Sequence, residues 1–210
     1  MAVSKIGICN IALAMLGADP IRSFDENNKR ARMADVFYDS TRDYLLSKFD
    51  WPFARKLLAL QPIDAETMGV TVPAGFFLYQ LPADCRTPRD VLPSGSRTQW
   101  AIMSNMLYCR IDPDSEVEVI LKYTKQAADT AIYSDTFINL LALGIAVKMC
   151  PAITQDKQLT ATLMDQFNVE QANAWESDAN IGEEYRKADE QPENDTFVNV
   201  DGFYDPYLRA

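Results

Sequence analysis

Chemistry needs reactive side chains held close together, and three places in this sequence offer candidates. The first is an acidic set with a lysine: Asp84, Glu116, Glu118 and Lys122. On a strand, Glu116 and Glu118 share a face, which would suit a divalent cation in phosphodiester hydrolysis. The spacing to Lys122 is not that of a metal-dependent nuclease, however, and no basic track for DNA accompanies it. Alternating acids on the wet face of a half-buried strand account for the pattern. The second place is Cys85 beside Arg86. A cation favours the thiolate, but a nucleophilic cysteine also needs a base, and the chain contains no histidine. The same absence removes Ser/His/Asp catalysis and most transition-metal sites. The third is the basic cluster Lys29-Arg30-Ala31-Arg32, short and without a glycine-rich phosphate loop. It reads as a surface feature that could meet an acidic segment of a neighbouring subunit. We expect no catalytic residue, no cofactor and no metal.

Composition points the same way. The 210 residues suffice for one sizeable domain, or a domain with an insertion, without disulfide staples. Cys9, Cys85, Cys109 and Cys150 lack metal-ligand spacing and are expected to be buried, reduced thiols. The formal charge is −10 and is uneven: Glu176 to Ala210 holds ten acids against three bases. Such a protein is poorly suited to gripping phosphates, although it could line a channel through which DNA slides. No uninterrupted apolar run approaches the ~18 residues of a membrane span, and Ile6–Leu16 reads as a short helix rather than a signal segment.

The elements that must position these residues follow from periodicity. Ser4 caps a first helix with Ile8, Ile11, Ala12 and Met15 on one stripe, ended by Gly17 and Asp19-Pro20. A second helix is expected from about Asn28 to Lys48, with Met33, Val36, Phe37, Tyr44 and Leu45 inward and Arg32, Asp35, Asp39, Arg42 and Asp43 outward. Asp50-Trp51-Pro52-Phe53 stops it. The period then changes to that of strands: Leu57–Leu60, Gly75–Leu81, a hairpin turning at Ser104-Asn105, and Glu116–Tyr123. Helices resume at Ser134, in a run apolar nearly all round that should be central and end at Pro151. Thr154 is expected to cap a fourth helix reaching about Ser177, with Leu159, Leu163, Phe167 and Ala174 on one side. After Gly182 the chain is polar and acidic, with scattered aromatics at Phe197, Phe203, Tyr204 and Tyr207.

The fold class is therefore α+β: an antiparallel bundle of about four helices (residues 1–54 and 126–180), a β-rich insertion (55–125) and an extended acidic C-terminal arm (181–210). The four aromatics of the arm are the candidate partner interface, because large anchors in a segment too polar to fold alone are suited to binding.

Asn10-Ile11-Ala12-Leu13 and Leu16-Gly17-Ala18-Asp19-Pro20-Ile21-Arg22-Ser23 precede a helix bearing Ala31, Ala34, Tyr38, Arg42 and Leu45, then Asp50-Trp51-Pro52-Phe53-Ala54. In that order they resemble the tail tubular protein A family of short-tailed bacteriophages, the adaptors attached below the portal. Tyr79-Gln80-Leu81-Pro82-Ala83-Asp84-Cys85 is similar to the Y-x-L-P-x-D-C turn of many members. The likeness runs through about residues 1–180 and is specific near 10–54 and 76–86. It implies a structural virion subunit, assembled in the host cytoplasm into a ring, commonly twelvefold, between portal protein and tail nozzle protein. DNA would pass through the ring non-specifically, and no membrane would be engaged. The other readings are a tail-assembly chaperone that leaves the particle and, as the enzyme reading, the metal-dependent nuclease.

Overall fold

A computed structural model describes the backbone of residues 3–93, 99–115 and 117–189, and side chains as far as Glu176. Its helices are α1 (Lys5–Met15), α2 (Lys29–Lys48), the single turn α3 (Ala65–Met68), α4 (Asp135–Ile153) and α5 (Lys157–Asp189). Between α2 and α4 lie β1 (Arg55–Ala59), β2 (Pro62–Ile63), β3 (Phe77–Gln80), β4 (Cys85–Leu92), β5 (Trp100–Met103), β6 (Met106–Cys109) and β7 (Ile120–Lys125). The expected α+β class is what the structure has: a helical body interrupted by two antiparallel sheets, in the orders β1-β7-β4 and β2-β3-β6-β5.

The helical body is organised around α4. Twelve of its residues are buried, from Phe137 to Cys150, and α1, α2 and α5 all pack on it. That position explains its composition, since a helix covered on every side has no wet face to keep polar. By length and mean hydropathy α4 is the one described helix that could cross a bilayer, but 61% of its apolar window is buried under its neighbours. Gly144 lets α2 and α5 close on it together. A Cβ there would lie 2.9 Å from Thr41 Cγ2 and 3.0 Å from Phe167 Cε2. The start of the chain is pinned differently. Asn10 on α1 takes the Ile21 N–H and gives its own amide to the Ile21 carbonyl, both at 2.9 Å, so one side chain closes the loop that Gly17 (φ 64°) opens.

Several local expectations need correction. On α2, Val36 and Tyr44 face solvent, while the buried stripe is Ala31, Ala34, Tyr38, Thr41, Arg42 and Leu45, with Leu46 beside it. Ala31, Ala34 and Thr41 suit that stripe because small side chains let α2 approach α4 closely. Arg42 is tolerated there because Asp39 and Asp43 each hold its guanidinium at 2.7 Å. Pro151 does not end α4, which continues to Ile153. A proline one turn from the end removes only one hydrogen bond, and Thr154 N still reaches the Cys150 carbonyl at 2.9 Å. Thr154 closes α4 rather than opening α5. The cap of α5 is Asp156, whose Oδ1 accepts from Gln158 N at 2.8 Å and Leu159 N at 3.0 Å. Helix α5 also runs on to Asp189, so the boundary placed at 180 falls inside it. Its inward residues Leu159, Leu163, Phe167 and Ala174 are as expected.

The β segment has its own apolar cluster of Leu60, Tyr79, Leu81, Val91, Leu107, Cys109, Val119, Leu121 and Tyr123. The expected hairpin is β5–β6, turning through Ser104 and Asn105 with φ of 49° and 61°. Strand β7 starts at Ile120 rather than at residue 116. Strand β4 was not expected, because Pro88 and two arginines hide its pattern. It tolerates a proline as the edge strand of its sheet.

Trp51 ties the end of α2 to this body. Fully buried, it donates its indole N–H to the Leu45 carbonyl at 2.8 Å and packs edge-on to Phe137, ring centroids 4.9 Å apart. Trp51→Ala is expected to cost about 3–5 kcal/mol of unfolding free energy, read from denaturant melts. A loss under ~0.5 kcal/mol would show that the indole is not a core group.

Candidate interaction surfaces

The four aromatics singled out in the sequence, Phe197, Phe203, Tyr204 and Tyr207, lie outside the described residues, as does Glu116. The remaining candidates for chemistry are not gathered into a site. Glu118 is exposed ahead of β7. Lys122 pairs with Asp50 at 2.8 Å, and Asp84 is held by the Tyr123 hydroxyl at 2.7 Å and Lys56 at 2.9 Å. Among the described residues no three of His, Cys, Asp and Glu cluster as metal ligands would. Burial, reinforced by the neighbouring Asp84, pushes the Cys85 thiol up to about 11, away from a nucleophile's range. Arg86 turns from that thiol to Asp43 at 3.5 Å. All four cysteines are free, and Cys9, Cys109 and Cys150 are buried.

What these residues do build is a seam between α2 and the sheet β1-β7-β4. Helix α2 ends at Phe49 in extended conformation, without a left-handed cap, so its last carbonyls need outside donors. Trp51 takes the Leu45 carbonyl. Arg89 takes those of Leu46, Ser47 and Phe49 with one nitrogen, at 2.5 to 3.2 Å, and gives its Nε–H to Thr124 Oγ1 at 2.8 Å. A cation at this end also complements the helix dipole. Strand β4 delivers the arginine through an irregularity. Its register against β7 slips between Pro88 and Asp90, and again between Cys85 and Thr87. The extra residue in each slip is an arginine, Arg89 and Arg86, and both reach α2. Bulges commonly re-aim a side chain in this way. Asp50 completes the seam by accepting from Arg55 Nε at 3.1 Å and from Lys122. The signal missed in the sequence was the bare C-terminus of α2: a helix ending without glycine or asparagine needs donors from elsewhere.

Among the described residues apolar surface is left open in several places, three of which bear on docking. Edge strand β1 exposes Leu57 and Leu58, which point to opposite faces. Two grooves flank α5. One, of about 570 Å³, lies over α4 on the α1 side and is lined by Met15, Leu143 and Val169. The other, of about 580 Å³, lies beside Pro151, Lys157, Ala161 and Met164. The basic cluster is divided in the fold. Arg30 pairs with Asp19 at 2.8 Å, Lys29 donates to the Ala152 carbonyl, and Arg32 is exposed. Compared with known proteins, the chain matches no family model and no curated sequence.

Two measurements check the seam. Arg89→Met should cost about 2–3 kcal/mol in chemical unfolding, because it strands helix carbonyls that a charged donor now satisfies. The hydrogen bonds from Tyr123 and then Lys56 hold the Asp84 carboxyl below the usual carboxylate range. A carboxyl lowered on folding stabilises the fold above its unfolded pKa and loses that contribution as pH falls through its folded one. Asp84→Asn should therefore narrow the stability gap between neutral and acid pH, measured as melting temperature from neutral pH to below pH ~4. An unchanged gap would count against a role for Asp84 in the acid sensitivity.

Proposed function

We propose that this chain is a head-to-tail adaptor: a structural ring subunit that joins a portal protein to the tail of a short-tailed bacteriophage particle and forms part of its DNA channel. The observation that carries the reading is where the residues of the resemblance lie. Asn10 and Ile21 close the first loop, and Ala31, Ala34, Tyr38, Arg42 and Leu45 are the buried stripe of α2. Trp51 locks the end of that helix. In the Leu81–Cys85 turn, Asp84 accepts from Tyr123 and Lys56 through its side chain, and from Gln126 N at 2.8 Å through its backbone. Each sets the shape of a rigid body. That is the kind of residue a family of structural subunits would have in common.

The acidic arm supplies the second strand of the reading. Among the residues whose side chains are described, every buried apolar one lies at or before Ala174, and residues 190–210 carry five acids together with Phe197, Phe203, Tyr204 and Tyr207. Large aromatics dominate binding where they find a pocket, and a ring repeats each contact at every subunit.

Imaging decides the proposal. The chain mixed with the portal protein of its particle should form a ring on the portal visible by negative-stain microscopy. A chain cut after Asp189 should melt within ~2 °C of the full chain, because every described core residue is retained, yet fail to form that ring. Full chain that leaves portals bare, or an intact protein absent from purified virions by mass spectrometry, would overturn the adaptor reading. The second result would favour an assembly chaperone.

A further inference from the structure

The groove of about 580 Å³ beside α5 differs from the other open surfaces in its charge. Its floor continues the α4 stripe that starts at Gly144: Lys148 and Pro151 follow at i+4 and i+7. At Gly144, α2 and α5 press together. Toward Pro151 the space beside α5 is open, walled by Thr160, Ala161 and Met164, with Met164 44% exposed. Lys29 reaches the carbonyl of Ala152, so the start of α2 borders the same end of α4. Lys157 thus lines the groove while Lys29 and Lys148 stand at the same end of α4, and among the described residues none of these three pairs with a carboxylate. Lys148 is exposed, and partial desolvation by its neighbours lowers its pKa. The one acid lining the groove, Asp156, is engaged in capping α5.

An apolar floor with a cationic rim fits an acidic segment bearing large apolar side chains. Residues 190–210 are such a segment, with five acids, one base and four aromatics. We propose that this groove binds the C-terminal segment 190–210 of a second copy of the chain. Reach argues for the second copy. The groove lies at the start of α5 and the segment begins past its far end, so Ala161 and Asp189 are about 42 Å apart along the helix. Phe197 stands eight residues beyond Asp189 and extends at most about 28 Å. The chain's own segment would leave Phe197 short of the groove and bring Phe203, 14 residues past Asp189, to it only when stretched almost fully to about 46–50 Å, whereas a copy docked head to tail needs no such extension. Such a contact is heterologous and repeats from subunit to subunit, closing into a ring if the rotation permits. It requires no portal, so its test contains none, and its failure would leave the adaptor reading standing.

The test uses full-length chain and a fluorescent synthetic peptide of residues 190–210, with a scrambled peptide of the same composition as control. Anisotropy should show the native peptide binding roughly tenfold more tightly than the scrambled one, with affinity falling as salt is raised. The double variant Lys157→Glu, Met164→Glu should lose roughly tenfold in affinity while keeping its circular dichroism, and Val169→Glu in the other groove should not. Equal behaviour of the two peptides, including no binding by either, or an equal loss in Val169→Glu, would overturn the proposal. Carboxylate–amine crosslinking of mixed ¹⁴N and ¹⁵N chains then identifies the donor. Links from the acids of 190–210 to Lys29, Lys148 or Lys157 should include mixed-isotope pairs. Links confined to single-isotope pairs would show a chain covering its own groove, and would also overturn it.

Discussion

Everything in this fold turns on how α2 ends. A helix leaves its last carbonyls without partners, and burying them unsatisfied costs more than most single contacts return. Here the chain turns straight from α2 into a β segment, with no glycine to close the helix by itself. The indole of Trp51 and the guanidinium of Arg89 take four of those carbonyls. One donor belongs to the helical core and the other to the sheet, so the same few atoms terminate the helix and join the two halves of the molecule.

That arrangement has mechanical consequences. Insertions between helices often sit on flexible linkers, but this one is fixed at α2 by Arg86 and Arg89, and at Asp50 by Arg55 and Lys122. Several charged contacts in one half-buried seam resist rotation better than any one of them. The two apolar clusters can therefore remain separate while the molecule behaves as one body. A subunit that transmits register from one assembly to the next would benefit from such stiffness.

The surfaces left over are equally instructive. Helix α5 rests on α4 along one stripe and leaves a groove on each flank, and only one of the two has a cation, Lys157, in its lining. The chain also carries its negative charge at the opposite end of the same helix and beyond it. The two signs therefore stand at opposite ends of one long helix, the arrangement on which the proposed contact between copies rests.

The sequence by itself determined whatever depends on neighbours along the chain. Ser4 caps the first helix, Gly17 ends it, Ser104-Asn105 turns a hairpin, and the all-apolar run after Ser134 marks the central helix, because each is a matter of local backbone or local period. The hydroxyl of Thr154 and the ring of Pro151 misled for the same reason: both are strong local signals, but each sits within a turn of a helix end where one missing or extra bond decides little. Which face of α2 is buried was not local. Val36 and Tyr44 are more hydrophobic than Ala31 and Ala34, yet the close packing of α2 on α4 selects small residues and an ion-paired Arg42. Arg89 was invisible for a related reason. Its role exists only because a bulge in β4 meets a bare helix end 40 residues away in sequence, and that meeting is made by tertiary packing alone.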